Sequence, residues 1–117
     1  LVAQLDNPSQ AVMILHVPPY NSGLDVCPEL DENLKIVARG GQVLMKPVGS
    51  TAVRKVIEDV QPLLTLHGHI HEASRITGQW RQQFGTTHSF NAAWDGPDLA
   101  LIEFDLEESS HASRRII

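Results

Sequence analysis

Two short apolar runs, residues 11–15 and 63–66, each end at a histidine, and an amphipathic helix pattern lies between them. This arrangement limits the possible folds more than any other feature. Ala11-Val12-Met13-Ile14-Leu15 is too short for a typical helix and is bounded by Pro8 and by Pro18-Pro19. It predicts a strand buried on both faces, as in parallel sheets. Leu63-Leu64-Thr65-Leu66 predicts a second strand. Before it, Val53, Val56, Ile57 and Val60 recur at helical spacing, with Arg54, Lys55, Glu58 and Asp59 opposite. Ser50 suits the N-cap and Gln61-Pro62 ends the helix. Strand, helix and strand make a βαβ unit with parallel strands. If those strands are neighbours, His16 and the histidines of residues 67–71 emerge at one sheet edge. Ligand sites of such sheets lie there.

The 117 residues suit one domain large enough to bury a core. A net charge of -5 argues against broad nucleic-acid or anionic-membrane binding, which need a basic face. The single cysteine, Cys27, allows no internal disulfide; it reads as a packing residue in a cytoplasmic protein. No apolar run approaches the roughly 18 residues of a membrane span, and no signal peptide is recognisable. The sequence starts at Leu1 and enters a strand pattern within about ten residues, as expected of a piece of something longer.

Elsewhere the pattern is weaker. Leu1, Val2 and Leu5 would share a face of one helical turn, ended by Asn7-Pro8-Ser9. Residues 21–47 lack a sustained period, and so long a connection suggests a binding or lid loop. Residues 34–37 fit a short strand or a turn of helix, stopped by Gly40-Gly41. Strands are expected at residues 86–91 and 99–106, the latter with one solvated face. The domain is read as residues 1–106, and residues 107–117, polar and unpatterned, as a disordered tail.

Leu66-His67-Gly68-His69-Ile70-His71-Glu72 concentrates the chemistry. Imidazole is the commonest transition-metal ligand, and alternate histidines on a turn can converge on one site. The same residues also fit a polar turn after a strand, and His16 also fits a plain strand end. The free amides at the helix start near Ser50 could hold a phosphate, although a serine capping its own helix fits as well.

Taken together, His16-Val17-Pro18-Pro19-Tyr20, Val48-Gly49-Ser50-Thr51-Ala52-Val53-Arg54 and Leu66-His67-Gly68-His69-Ile70-His71-Glu72 resemble the calcineurin-like metallophosphoesterase superfamily, in particular its small prokaryotic phosphohydrolases. The similarity runs from about residue 11 to residue 91. It implies part of a two-sheet sandwich flanked by helices, with two divalent metals (Mn, Fe, Zn or Mg) at the strand ends. His16 and His69 would bind one metal and His71 the other. His67 and Glu72 would support these ligands from behind. The implied reaction is hydrolysis of a phosphomonoester or phosphodiester by a metal-activated water.

The departures are as informative. The superfamily's Asp-x-His, Gly-Asp and Gly-Asn-His-Asp blocks, which supply the bridging aspartate and the leaving-group acid, do not occur in this sequence. The usual Asn-Pro-Gly-Ser is replaced by Asn91-Ala92-Ala93-Trp94. The chain thus resembles a C-terminal half whose N-terminal half is missing. That half and a phosphoester are the expected partners, and the chain alone is expected to be inactive. A non-catalytic metal-binding or interaction module is the alternative. A cupin-like barrel would also contain His-x-His, but the helix at residues 51–60 suits a small barrel poorly.

Overall fold

The computed structural model describes residues 2–117; Leu1, expected on a helical face with Val2 and Leu5, lies outside the described residues. Short 3₁₀ turns at Val2–Gln4 and Pro8–Gln10 lead into strand β1 (Val12–Ile14). The next elements are β2 (Val26–Pro28), β3 (Ala38–Arg39), β4 (Gln42–Val43), β5 (Met45–Pro47), helix α1 (Thr51–Val60) and β6 (Leu64–His67). Helix α2 (Ala73–Thr77), β7 (Arg81–Phe84), β8 (Thr87–Asn91), β9 (Ala100–Phe104) and β10 (Ala112–Ile116) complete the chain. The result is a mixed α/β fold.

The expected βαβ unit is present. β1 pairs in parallel with β6, with Met13 opposite Thr65, and α1 connects them. β6 also pairs in parallel with β8, and β7 closes the sheet antiparallel, in the order β1-β6-β8-β7. Helix α1 starts where its sequence requires: Ser50 Oγ accepts the Val53 amide at 3.1 Å. Gln61 ends it in a left-handed conformation at φ 51°. Ile57 from its apolar stripe is fully buried. Among the described residues, no helix is long and apolar enough to cross a membrane.

The sheet register separates two unlike faces. Leu64, Leu66 and Phe90 lie on one face, and Phe104 of β9 covers its β8 side, with ring centroids 5.9 Å apart. Thr65, His67, Ser89 and Asn91 lie on the other, which is polar yet buried. Loop backbone meets this second face: Thr87 donates to the Pro62 carbonyl at 2.6 Å, and Asn91 donates to that of Leu24 at 3.0 Å.

Three expectations are corrected. β1 is not buried on both faces: it is the sheet's edge strand, with Val12 40% and Ile14 82% exposed. Phe104 covers the far side of that face and leaves the β1 side open. Residues 21–47, read as a long connection without a sustained period, are built of paired strands, although residues 34–37 are not one of them. β2 pairs with β5, and the β3–β4 hairpin extends from them around Gly40 and Gly41, both at positive φ. Residues 107–117 are not a disordered tail either, because β10 pairs along the whole of β9. Inward-facing Arg114 hid the alternation: its guanidinium donates to Ser74 Oγ and to the Ala93 carbonyl, both at 3.1 Å, and lies over the Trp94 ring.

Candidate metal-ligand site

His16 sits in the bend just beyond β1, and His69 sits two residues beyond the end of β6. Pairing continues past β1, since the Leu15 amide donates to the Leu66 carbonyl and the Gly68 amide to that of His16, each at 2.9 Å. The two side chains therefore leave adjacent parallel strands at the same end. His69 Nδ1 lies 3.1 Å from His16 Nε2, and the rings meet edge to face at 4.9 Å between centroids. Both residues are solvent-exposed, so an ion could reach the facing nitrogens.

His69 holds an unfavourable backbone conformation. Its φ is +67°, and the Ile70 amide donates to the Gly68 carbonyl at 2.8 Å across it. An i to i+2 bond around a residue of positive φ is the rarer and strained form of γ-turn. A left-handed non-glycine residue costs on the order of 1 kcal/mol, and such strain concentrates at functional positions.

His67 is buried, and both of its ring nitrogens are engaged. Nδ1 lies 2.8 Å from the Leu15 carbonyl oxygen and 3.2 Å from that of Val17. Carbonyls only accept, so the proton is on Nδ1 and Nε2 accepts from the Thr65 hydroxyl at 2.7 Å. Thr65 Oγ1 then accepts from the Ser89 hydroxyl at 2.7 Å. Burial pushes the imidazole pKa below its ordinary value, against the opposing effect of the two carbonyls.

Five successive carbonyls around His16 thus have donors. His67 Nδ1 serves Leu15 and Val17, and the Gly68 amide serves His16. The Ser50 amide serves Pro18 at 2.9 Å, and the Ser22 hydroxyl serves Pro19 at 2.6 Å. Ser50 in turn accepts the Tyr20 amide on its carbonyl. With its amide and its hydroxyl oxygen both engaged, Ser50 anchors the His16 loop to α1.

The remaining candidates are placed differently. His71 is exposed, beyond buried Ile70, and Glu72 is the half-buried N-cap of α2 with no side-chain capping bond. Among the described residues, no group of three or more His, Cys, Asp or Glu side chains is arranged to hold a metal. The thiol of Cys27, in β2, is pushed up in pKa by burial, as suits a packing residue.

Asp25 was not singled out from the sequence, and Gly49 entered only as part of the motif at residues 48–54. Asp25 is fully buried, and its carboxylate accepts from the amides of Asn21, Ser22 and Gly49. A Cβ on Gly49 would lie 2.6 Å from the Pro18 carbonyl oxygen and 2.8 Å from Asp25 Oδ2. The only available sequence signal was turn chemistry at Asn21-Ser22-Gly23, and it points to no particular acid. No family model, curated protein or solved structure matches the chain.

Proposed function

We propose that the chain carries the C-terminal half of a metal-dependent phosphohydrolase of the calcineurin-like metallophosphoesterase type. The 3.1 Å approach of His69 Nδ1 to His16 Nε2 carries this reading. Two nitrogens about 2.1 Å from a shared ion stand roughly 3.0 to 3.4 Å apart at octahedral to tetrahedral angles. The pair has that spacing, and a shared ion would replace the proton that one of the two nitrogens holds towards the other.

His16 and His69 would hold one divalent ion (Mn, Fe, Zn or Mg) and His71 a second, with Glu72 behind it. His67 keeps the His16 backbone in place as a neutral imidazole. A bound metal pair supplies Lewis acidity and a water of lowered pKa for attack on a phosphoester. The bridging aspartate and the leaving-group acid belong to a partner segment upstream. The open β1 edge is where that segment would extend the sheet into a two-sheet sandwich. Strained His69 also supports the reading, since it keeps a positive φ although its side chain is exposed.

Titration of the chain with Zn²⁺, followed by histidine ring resonances, tests the assignment. His16 and His69 should respond together, and His16→Ala should weaken binding on the order of tenfold or more. The isolated chain should leave a chromogenic phosphodiester intact. Imidazoles that ignore millimolar Zn²⁺ would refute the metal reading, and turnover by the chain alone would refute the divided site.

A further inference from the structure

We propose that Asp25 is a positioning residue for His16: it ties the loop carrying His16 to the start of α1 and so holds the imidazole at His69 before any ligand arrives. Asp25 is 0% exposed, and among the described residues no ion pair involves it. Its charge is met by backbone amides. Oδ2 accepts from Asn21 at 2.8 Å and from Gly49 at 2.9 Å, and Oδ1 accepts from Ser22 at 3.0 Å. The Ser22 hydroxyl lies 3.4 Å from Oδ1 and donates to the Pro19 carbonyl at 2.6 Å. Asp25 also accepts the Val48 amide on its own carbonyl at 2.9 Å.

These bonds join two segments outside the four-stranded sheet, between the β2–β5 pair and the Pro19–Ser50 bridge. One is the turn at residues 21–22, just after the His16 loop, and the other is the 48–49 approach to the cap of α1. The join passes to the loop at two points. The Ser22 hydroxyl holds Pro19, and Gly49 presents Ser50, whose amide holds Pro18. An unpaired buried carboxylate is costly unless fully hydrogen-bonded, so this arrangement is specified in detail. None of the Asp25 carboxylate's partners lies in β1 or β6, so losing the side chain should free the His16 loop while leaving the strand pairing intact.

The test uses the full chain with Asp25→Ala and Asp25→Asn. NMR reads the ring-to-ring contact of His16 with His69 and, separately, the Leu15–Leu66 backbone contact between the strands. Asp25→Ala should lose the ring contact and keep the strand contact, and formate, which fits the vacated three-amide cup, should restore it. Asp25→Asn, which keeps one acceptor oxygen, should retain the strand contact with a weakened ring contact. Zn²⁺ affinity should fall on the order of tenfold in Asp25→Ala. A ring contact unchanged in Asp25→Ala would overturn the proposal. So would its loss only together with the strand contact in both variants, since Asp25 would then serve folding alone. The Zn²⁺ readout rests on the proposed metal site. If the unaltered chain binds no Zn²⁺, that reading fails, and the ring contact still decides the role of Asp25.

Discussion

His67 Nδ1 stands 2.8 Å from the carbonyl oxygen of Leu15, 52 positions earlier in the chain. This bond adds a side-chain link between the ends of two parallel strands, between the backbone bonds of Leu15 to Leu66 and of Gly68 to His16. It also fixes the imidazole tautomer, since the other nitrogen receives the Thr65 hydroxyl proton. His67, which the resemblance places behind the ligands, bonds the carbonyls of Leu15 and Val17 on either side of His16.

Burial lowers the folded-state pKa of His67, so below the ordinary imidazole value of about 6.5 the unfolded chain takes up a proton that the folded chain refuses. The stabilisation is therefore present above that value and is lost as pH falls through the window beneath it. Its slope is at most about 1.4 kcal/mol per pH unit for one group. His88 shifts in the same direction, so the assignment needs a variant. Melting curves from pH 7.5 to 4.5 should show a smaller slope in His67→Gln. An unchanged slope would remove His67 from the account.

His69→Gly should separate stability from binding. Glycine removes the penalty of a side chain at φ +67°, while its greater unfolded-state freedom takes back part of the gain. The net effect should be neutral to about 1 kcal/mol stabilising. Zn²⁺ response at His16 should disappear. Chemical denaturation checks the first half, and a loss of more than about 1 kcal/mol would show that the His69 ring supports the fold.

The sequence revealed the strand–helix–strand frame because its signals are local. The stripe from Val53 to Val60, the Ser50 cap and two apolar runs of strand length each depend on near neighbours. The meeting of His16 with His69 followed from that frame, since parallel neighbours release their ends on the same side. The environment of β1 was not legible, because an apolar run does not say whether a neighbour covers it. Asp25 escaped notice because it works through amides at residues 21, 22 and 49, and an amide donor leaves no trace in residue type. β10 was hidden by Arg114, whose long stem is half-buried while its charged end reaches Ser74 and Ala93.

Gly49→Ala should be among the most damaging small substitutions. The added methyl would press on the Pro18 carbonyl at 2.6 Å and on Pro19 backbone at 2.8 Å, and neither is a flexible side-chain end. Overpacking of this kind costs about 1 to 3 kcal/mol. At Gly78, positive φ is the only penalty, with nothing within 4 Å of an added Cβ. Gly78→Ala should therefore cost about 1 kcal/mol and leave the His16 environment untouched. Denaturation paired with histidine NMR distinguishes the two. A Gly49→Ala chain with unshifted stability would mean the loop moves away freely.

Ile14→Lys tests the open edge of the sheet. Ile14 is 82% exposed on a strand whose outer edge pairs with no other described strand. Beside it lies an apolar concavity lined by Val2, Leu5, Met13 and Val56. An exposed apolar edge of this kind promotes strand addition, and a lysine there is the usual protection. Because the side chain is already in water, the substitution should change stability by no more than about 0.5 kcal/mol. It should lower self-association in light scattering. In the proposed reading it should also block the upstream segment from joining the sheet, so no activity would appear when that segment is supplied. A stability loss of several kcal/mol would show that Ile14 is covered in solution. Unimpaired recovery of activity would mean that such a segment joins elsewhere than on β1.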